Sequence, residues 1–561
     1  MRPLRSGSDR RLPRAKRVHK TGGAPSRGGR PSTRLHHEEI ADRLLDVLPD
    51  LFLAALLALL IGLGLILATS ARGIVPGYDA VEYVRTAHFI HAGLLGDAAA
   101  GFTRMGAAVA VTWARLPFTN TLDVLLLGLA YDVADYHLSV VLIHACYLLL
   151  FAYLARRLLG RAPALLLLVW ATSQTYFLHQ FTNLLSEMKV GMFLALFVVA
   201  LFHDDVQSRR WPLFWITVLL LLLRTADLLF ILPLVVAHAA FVWRRADGPR
   251  TAVAAAKAVG LACLVLLPLL VHELKGLIPY LYLASYSDMA QNWRDMAGVS
   301  GKWDLVMSYV TGVAAYNRDF AISAVLAIAV GAALSLRDSR HRLTLFRGTV
   351  VGSLVVFAVL TSAQSNNIMI VYWVYALLGV VAVCLLKALL MERHLALLAY
   401  ALIPVAIAQN ANAFSRANDV LIEALPVQEL AESVCKGMAG VSQPSVFQNY
   451  AGIGPLDPHG LEIASPTVVG WVPVNSISYN TPLSAYLEAL DRANVALIAN
   501  RNFLWPPYIG INRRTEELAR YVGENASRMG FTRARRLMFD ADPSRFIDVY
   551  TRSTPTAVVK E

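Results

Sequence analysis

The sequence predicts a polytopic α-helical membrane protein of about 11 transmembrane helices, followed by a C-terminal α/β domain outside the membrane. Three observations lead to this fold class. The chain is 56% hydrophobic and only 16% charged, whereas a soluble protein carries about 25% charged residues. Apolar stretches long enough to cross about 30 Å of hydrocarbon recur along residues 48–409. Beyond them, short strand-like runs alternate with helix-like segments.

The amino-terminal segment, residues 1–45, is predicted to be a disordered cytoplasmic tail. Its first 36 residues hold 11 lysines and arginines and a single acid, Asp9, so they supply most of the net charge of +12. Such a composition cannot bury a core. We expect the tail to touch anionic lipid headgroups and to fix the amino terminus inside. Nucleic acid is not an expected partner, because no aromatic residues are interleaved with the charges.

The predicted transmembrane domain covers residues 46–410. Eleven spans are expected, near residues 48–69, 136–155, 162–178, 185–202, 211–223, 228–243, 252–271, 320–336, 348–363, 368–388 and 394–409. Their predicted inner loops contain 14 lysines and arginines, and the short outer connections contain two, Lys189 and Arg224. The bias predicts a multi-pass protein of the cytoplasmic membrane with its amino terminus inside. Two large loops, about 71–135 and 273–318, are then outside.

Residues 411–561 are predicted to form a small α/β domain on the extracytoplasmic side. Strand-like runs at 467–474, 495–499, 535–539 and 546–550 alternate there with helix-like runs at 483–493 and 515–529. Cys435 is alone in this domain, and the other three cysteines lie in apolar spans. We therefore expect no intrachain disulfide framework.

An acidic pair follows the first span on the predicted outer side. Asp79 and Glu82 are three residues apart, so a helix would place both carboxylates on one face. Acids at the mouth of a membrane helix are usually kept for chemistry. One alternative is an interfacial helix whose acids face water. Another is a metal site shared with His88 and His91, which lie three residues apart on the same segment.

Two further sets of charge interrupt apolar spans at the same predicted end. Glu187 and Lys189 lie at the start of the fourth span, which indicates either a cavity or an interfacial acid beside a snorkelling lysine. Arg224, with Asp227, divides the apolar stretch 211–243. The residues before Arg224 give about 20 Å of helix, less than the membrane core, so its guanidinium is expected below the outer interface. It would suit a phosphate there, or else pair with Asp227 to cap a helical hairpin.

On these residues the chain resembles the polyprenol-phosphate-sugar-dependent glycosyltransferases of the GT-C superfamily. The branch it resembles contains the protein O-mannosyltransferases and the lipid A aminoarabinose transferases. The family's first-loop motif is matched at Asp79, Tyr83, Ala87 and Gly93. Ala80 stands where the family has a Glu, and Glu82 could compensate one turn along a helix. The resemblance implies a GT-C-like transmembrane domain.

The resemblance also implies a transferase of the cell envelope that acts at the periplasmic or equivalent outer face. It would move a sugar from a polyprenyl-phosphate donor to a hydroxyl of a lipid, polysaccharide or protein acceptor, with inversion at the anomeric carbon. Asp79 would be the general base, and Glu187 would orient the acceptor, pair with Lys189 or join Asp79 around a metal. Arg224 first, and Lys189 second, would bind the donor phosphate.

No cofactor is expected, although a divalent metal is possible. Membrane lipids are expected partners. The main alternative is a transporter or flippase for a lipid-linked or small solute, with Glu187 and Asp227 as coupling carboxylates. A third possibility is an enzymatically silent protein of envelope assembly, because Ala80 departs from the family motif.

Overall fold

The computed structural model describes a part of the chain that comprises residues 33–70, 87, 121–130, 136–172, 186–203, 206–271, 273–274, 277–278, 303–304, 306–307, 325–326, 328–337, 343–363, 370–389, 445–449, 472–474, 483–501, 509–538, 544 and 546–552. Asp79, Glu82 and the expected span at 394–409 lie outside these described residues.

The chain divides into two compact units, Met1–Leu48 and Pro49–Glu561. Helix α1 (Thr33–Ser70) begins in the first unit, so residues 33–45 are helical where the sequence analysis expects a disordered tail. The reason is local: no glycine or proline occurs between Thr33 and Leu48, and leucine, arginine and glutamate are good helix formers. The average composition of residues 1–45 does not reveal that the last part of this segment is helical.

The membrane part of the second unit is helical. Its described helices are α2 (Thr121–Ala130), α3 (Tyr136–Leu159), α4 (Arg161–Thr172), α5 (Glu187–Leu201), α6 (Val206–Leu223), α7 (Leu228–Val242), α8 (Gly248–Val265), α9 (Ile328–Arg337), α10 (Thr344–Ala363) and α11 (Ile370–Leu389). A 3-10 turn, Thr225–Asp227, separates α6 from α7.

Five described helical segments are long and apolar enough to cross a membrane: Leu48–Thr69, His137–Leu159, Thr225–Val242, Gly248–Val265 and Thr344–Thr361. Shorter apolar helices accompany them, among them most of α5 and α6. A mostly helical, multi-pass membrane protein follows from these segments. The figure of about 11 spans includes residues outside the described part and stays a prediction.

Helix α5 lies at the centre of the bundle. It packs against α3, α6 and α11, and its side chains from Val190 to Leu201 are buried on every face. A helix that is apolar all round is stable only when it is enclosed in this way.

Small residues let the neighbouring helices come close. At Gly379 in α11, an added Cβ atom would lie 2.1 Å from the ring of Trp170 in α4.

The carboxyl-terminal region contains a mixed five-stranded sheet. Its strands are β1 (Ser445–Gln448), β2 (Val472–Val474), β3 (Val495–Ala499), β4 (Thr532–Met538) and β5 (Phe546–Thr551), in the order β2-β1-β3-β5-β4. The first three strands are parallel to one another, whereas β5 runs antiparallel to both β3 and β4.

Helices α12 (Leu483–Arg492) and α13 (Ile509–Asn525) pack with this sheet around a core that includes Phe447, Tyr486 and Leu518. The central strand β3 coincides with the predicted run 495–499 and is buried on both faces. The location of this region outside the membrane stays a prediction.

Candidate functional site

Several charged residues lie at one end of the membrane bundle. Helices α5 and α6 are joined by residues 202–205 and pack against each other, so the start of α5 and the end of α6 lie at the same end. Asp123, in the first turn of α2, lies at the same end because it contacts Lys189. This end of the bundle is the one that the positions of the basic loops predict to be outside. We call it the outer end.

A buried ion pair joins α5 to α2. The ammonium Nζ of Lys189 donates a hydrogen bond to Oδ2 of Asp123, and the two side chains are 4% and 0% exposed. Taking both charges out of water costs several kcal/mol for each, which a close partner must offset. The first turn of α2 is a favourable place for the Asp123 carboxylate, because the amino terminus of a helix carries a partial positive charge.

An aromatic ring lies beside this ion pair and belongs to a chain of three rings. Nζ of Lys189 lies 5.1 Å from the centroid of the Tyr147 ring, at a distance suited to a cation–π interaction. The ring of Phe193 in α5 stands edge-on to Tyr147 at 6.0 Å and to Phe151 at 6.3 Å between centroids. In such an apolar environment the attraction between ammonium and carboxylate is weakly screened. The pair therefore fixes α2, α3 and α5 against one another.

Asp123 is the member of the site that the sequence analysis missed. The signal was an acid inside the otherwise apolar segment Thr121–Ala130. Its partner is 66 positions away in the chain, so spacing alone could not connect the two. Lys189 is predicted from the sequence to bind a donor phosphate, and the structure adds a carboxylate that holds the same ammonium in place.

Arg224 lies at the break between α6 and α7, where the sequence analysis places it. Its backbone is extended, with φ of −155° and ψ of 111°. Its N–H donates to the carbonyl of Leu220 at 2.8 Å, and its carbonyl accepts from the N–H of Asp227 at 3.0 Å. The Arg224 side chain is partly buried, and Asp227 is fully buried at the start of α7. A cation and an acid are thus both held within the protein at this break.

Glu273 is a second acid that the sequence analysis did not single out. Helix α8 packs against α7 and follows it through the turn at residues 243–247, so the end of α8 lies at the outer end. Glu273 comes shortly after that end and is 2% exposed. Burial raises the pKa of its carboxyl to about 7. A buried acid with this pKa changes charge near neutral pH.

The structure does not describe the side chains of the other predicted site residues. Glu187 begins α5, but its side chain, like Asp79 and Glu82, lies outside the described residues. Within the described part of the chain, no group of three or more His, Cys, Asp or Glu side chains is arranged to hold a metal. The roles of the three acids, and any metal between them, stay predictions.

No protein-family model and no curated protein sequence matches the chain. A solved structure does match. The chain is similar to ArnT from Cupriavidus metallidurans, in a crystal structure of that protein bound to undecaprenyl phosphate. The match covers 88% of this chain and 97% of that chain, with a TM-score of 0.43 and 12% sequence identity. Roles for the residues described above therefore rest on this chain alone.

Proposed function

We propose that the protein is a membrane glycosyltransferase that moves a sugar from a polyprenyl-phosphate donor to an acceptor hydroxyl at the outer face of the cytoplasmic membrane. The observation that supports this most is the collection of charged groups at the outer end of an otherwise apolar bundle. Lys189 and Asp123 are buried there, together with Asp227 and the partly buried Arg224. Charges in such a place are costly and are usually retained for function.

In this proposal Arg224 binds the phosphate of the donor. Its permanent charge and planar fork of N–H donors match phosphate oxygens. When the bond from the anomeric carbon to the phosphate oxygen breaks, negative charge grows on the departing polyprenyl phosphate, and a cation held in place stabilises it. Lys189 is the second cation. Asp123 holds its ammonium at the same end of the bundle as Arg224.

Asp79 is the proposed general base. It removes the proton of the acceptor hydroxyl as that oxygen attacks the anomeric carbon from the face opposite the phosphate, which inverts the configuration. Glu82 supplies the second carboxylate of the motif, because Ala80 has none. Glu187 orients the acceptor, and if a divalent metal takes part, Asp79 and Glu187 would hold it. The acceptor is a lipid, a polysaccharide or a protein.

The test uses purified full-length protein in nanodiscs, radiolabelled polyprenyl-phosphate sugars, and chromatographic measurement of released polyprenyl phosphate. Asp79→Asn should lower kcat about 100-fold or more, because the acceptor hydroxyl is a poor nucleophile without a base. Arg224→Gln should lower kcat/KM about 100-fold, because the leaving phosphate loses its cation. The matched control is Asp97→Asn, an acid of the same loop outside the motif, which should keep wild-type turnover.

Two outcomes would contradict the proposal. Wild-type turnover in Asp79→Asn would remove this residue from the role of base, although a transferase could remain. The absence of turnover with every donor, together with solute uptake into proteoliposomes, would instead favour a transporter or flippase.

A further inference from the structure

A groove lies at the opposite end of the bundle, between α6 and α8. Its volume is about 520 Å³. Helices α6 and α8 pack directly against each other, and the groove runs along the line of contact between them. Its lining includes three basic and three apolar or aromatic side chains: Arg210, Arg250, Lys257, Trp211, Phe214 and Leu261.

The spacing of the lining residues makes the groove a continuous strip. On α8, residues 250, 254, 257 and 261 recur every three or four positions and share one face. Arg210, Arg250 and Lys257 have exposed side chains. The lining contains no acidic side chain from the described residues. The strip therefore presents positive charge beside apolar surface.

Of the three cations, Lys257 gives the strongest indication of an anionic ligand, because of its depth in the membrane span. It lies within the candidate membrane span Gly248–Val265 and is exposed on the surface of its helix. Seven residues separate it from Arg250, which is about 10 Å along the axis of α8. A lysine at this depth beside lipid is costly, and it is usually kept where it meets an anion. Lys257 lines the same groove as the two arginines.

Tryptophans mark the level of the membrane surface at this end. Trp211, Trp215 and Trp243 are 55%, 56% and 68% exposed. Exposed tryptophans of membrane proteins gather at the boundary between headgroups and hydrocarbon. The groove therefore extends from headgroup level, at Arg210 and Arg250, into the hydrocarbon region.

We propose that this groove is a binding site for one anionic diacyl phospholipid. The headgroup phosphate binds between Arg210, Arg250 and Lys257, and an acyl chain lies against Phe214 and Leu261. Charge complementarity selects an anionic over a zwitterionic lipid, and the apolar walls select a lipid over a free phosphate. The leaflet is the one next to the turn between α7 and α8, which the basic loops predict to be cytoplasmic. The site is separate from the proposed transferase site.

The test measures lipid binding to the full-length protein by native mass spectrometry in detergent. The probes are dioleoylphosphatidylglycerol, dioleoylphosphatidylcholine, a polyprenyl phosphate and inorganic phosphate. Wild-type protein should bind phosphatidylglycerol at least tenfold more tightly than phosphatidylcholine or inorganic phosphate. The double variant R210Q/R250Q should lose at least tenfold in its affinity for phosphatidylglycerol, and K257M should lose several-fold. Polyprenyl phosphate also binds at the proposed transferase site, so its affinity should be the same in wild type and in R210Q/R250Q.

The matched control is R244Q/R337Q, which removes two exposed arginines outside the groove. It should stay within twofold of the wild-type affinity. All variants keep the basic amino-terminal tail, so non-specific attraction of anionic lipid to that tail is the same in each. K257M places an apolar side chain in an apolar span, so it remains informative if the double variant folds poorly.

Several outcomes would overturn the proposal. These are equal loss of affinity in R210Q/R250Q and in the control, unchanged affinity in both R210Q/R250Q and K257M, and equal binding of phosphatidylcholine by the wild type. Loss of polyprenyl phosphate or inorganic phosphate binding in R210Q/R250Q, with phosphatidylglycerol affinity unchanged, would assign the groove to a different ligand.

Discussion

Two lysines of the membrane bundle, Lys189 and Lys257, have opposite surroundings. Lys189 is buried and is bound to the buried carboxylate of Asp123. Lys257 is exposed, in a groove whose described lining contains arginines but no acid. A desolvated cation must find its anion inside the protein, whereas a cation at the lipid surface can take one from the membrane. Burial thus decides whether each of these two lysines takes its first anion from the protein or from the membrane.

The largest expected effect tests the buried member of this comparison. Asp123→Ala removes the acid that pairs with Lys189, and it should lower the free energy of unfolding by about 3–5 kcal/mol. The same measurement on Lys257→Met should show no loss, because that cation is exposed. Unfolding of the purified protein in mixed micelles, titrated with a denaturing detergent, measures both.

A double variant separates charge from packing in the buried pair. Asp123→Leu combined with Lys189→Met removes both charges and should recover most of the lost stability, because apolar side chains suit an apolar site. If Asp123→Ala were as stable as wild type, or if the double variant were no better than Asp123→Ala, the pair would not be a structural unit.

A smaller effect is expected at Glu273, which extends the comparison of a buried and an exposed cation to a buried acid. Its pKa is raised from an ordinary value of 4.5 to about 7, so the folded protein holds a proton that the unfolded chain releases. The stabilising contribution is therefore complete below about pH 4.5 and is lost as the pH rises through 7. Between these values wild-type protein should lose a few degrees of Tm relative to Glu273→Gln, which has no carboxyl to titrate. A constant difference in Tm across this window would contradict the burial of the carboxyl.

The smallest effect is expected for two exposed ion pairs that share one acid. Asp50 lies 3.2 Å from Arg156 and 3.3 Å from Arg161, and all three side chains are at least 32% exposed. Asp50→Asn should cost less than about 1 kcal/mol, and the cost should shrink further at high salt. A loss similar to that of Asp123→Ala would show that exposure does not govern these pairs.

The sequence predicts the local features of this molecule well and its tertiary contacts poorly. The break at Arg224 and the strand at 495–499 are visible because short apolar runs end at charged or polar residues. The helical start at Thr33 was missed because the charge of the whole tail outweighed its last residues. The pairing of Asp123 with Lys189 requires two helices to come together, and hydropathy does not distinguish a side chain buried in protein from one in lipid.

The contact between Gly379 and Trp170 also limits how the sequence can change over time. An added Cβ at position 379 would collide with the indole ring, so any larger residue there requires a smaller one at position 170. Either change alone is expected to cost stability, because the first overfills the contact and the second leaves a cavity. Positions 170 and 379 are far apart in the chain, but they are therefore expected to vary together in related sequences. The close contact between α4 and α11 depends on both.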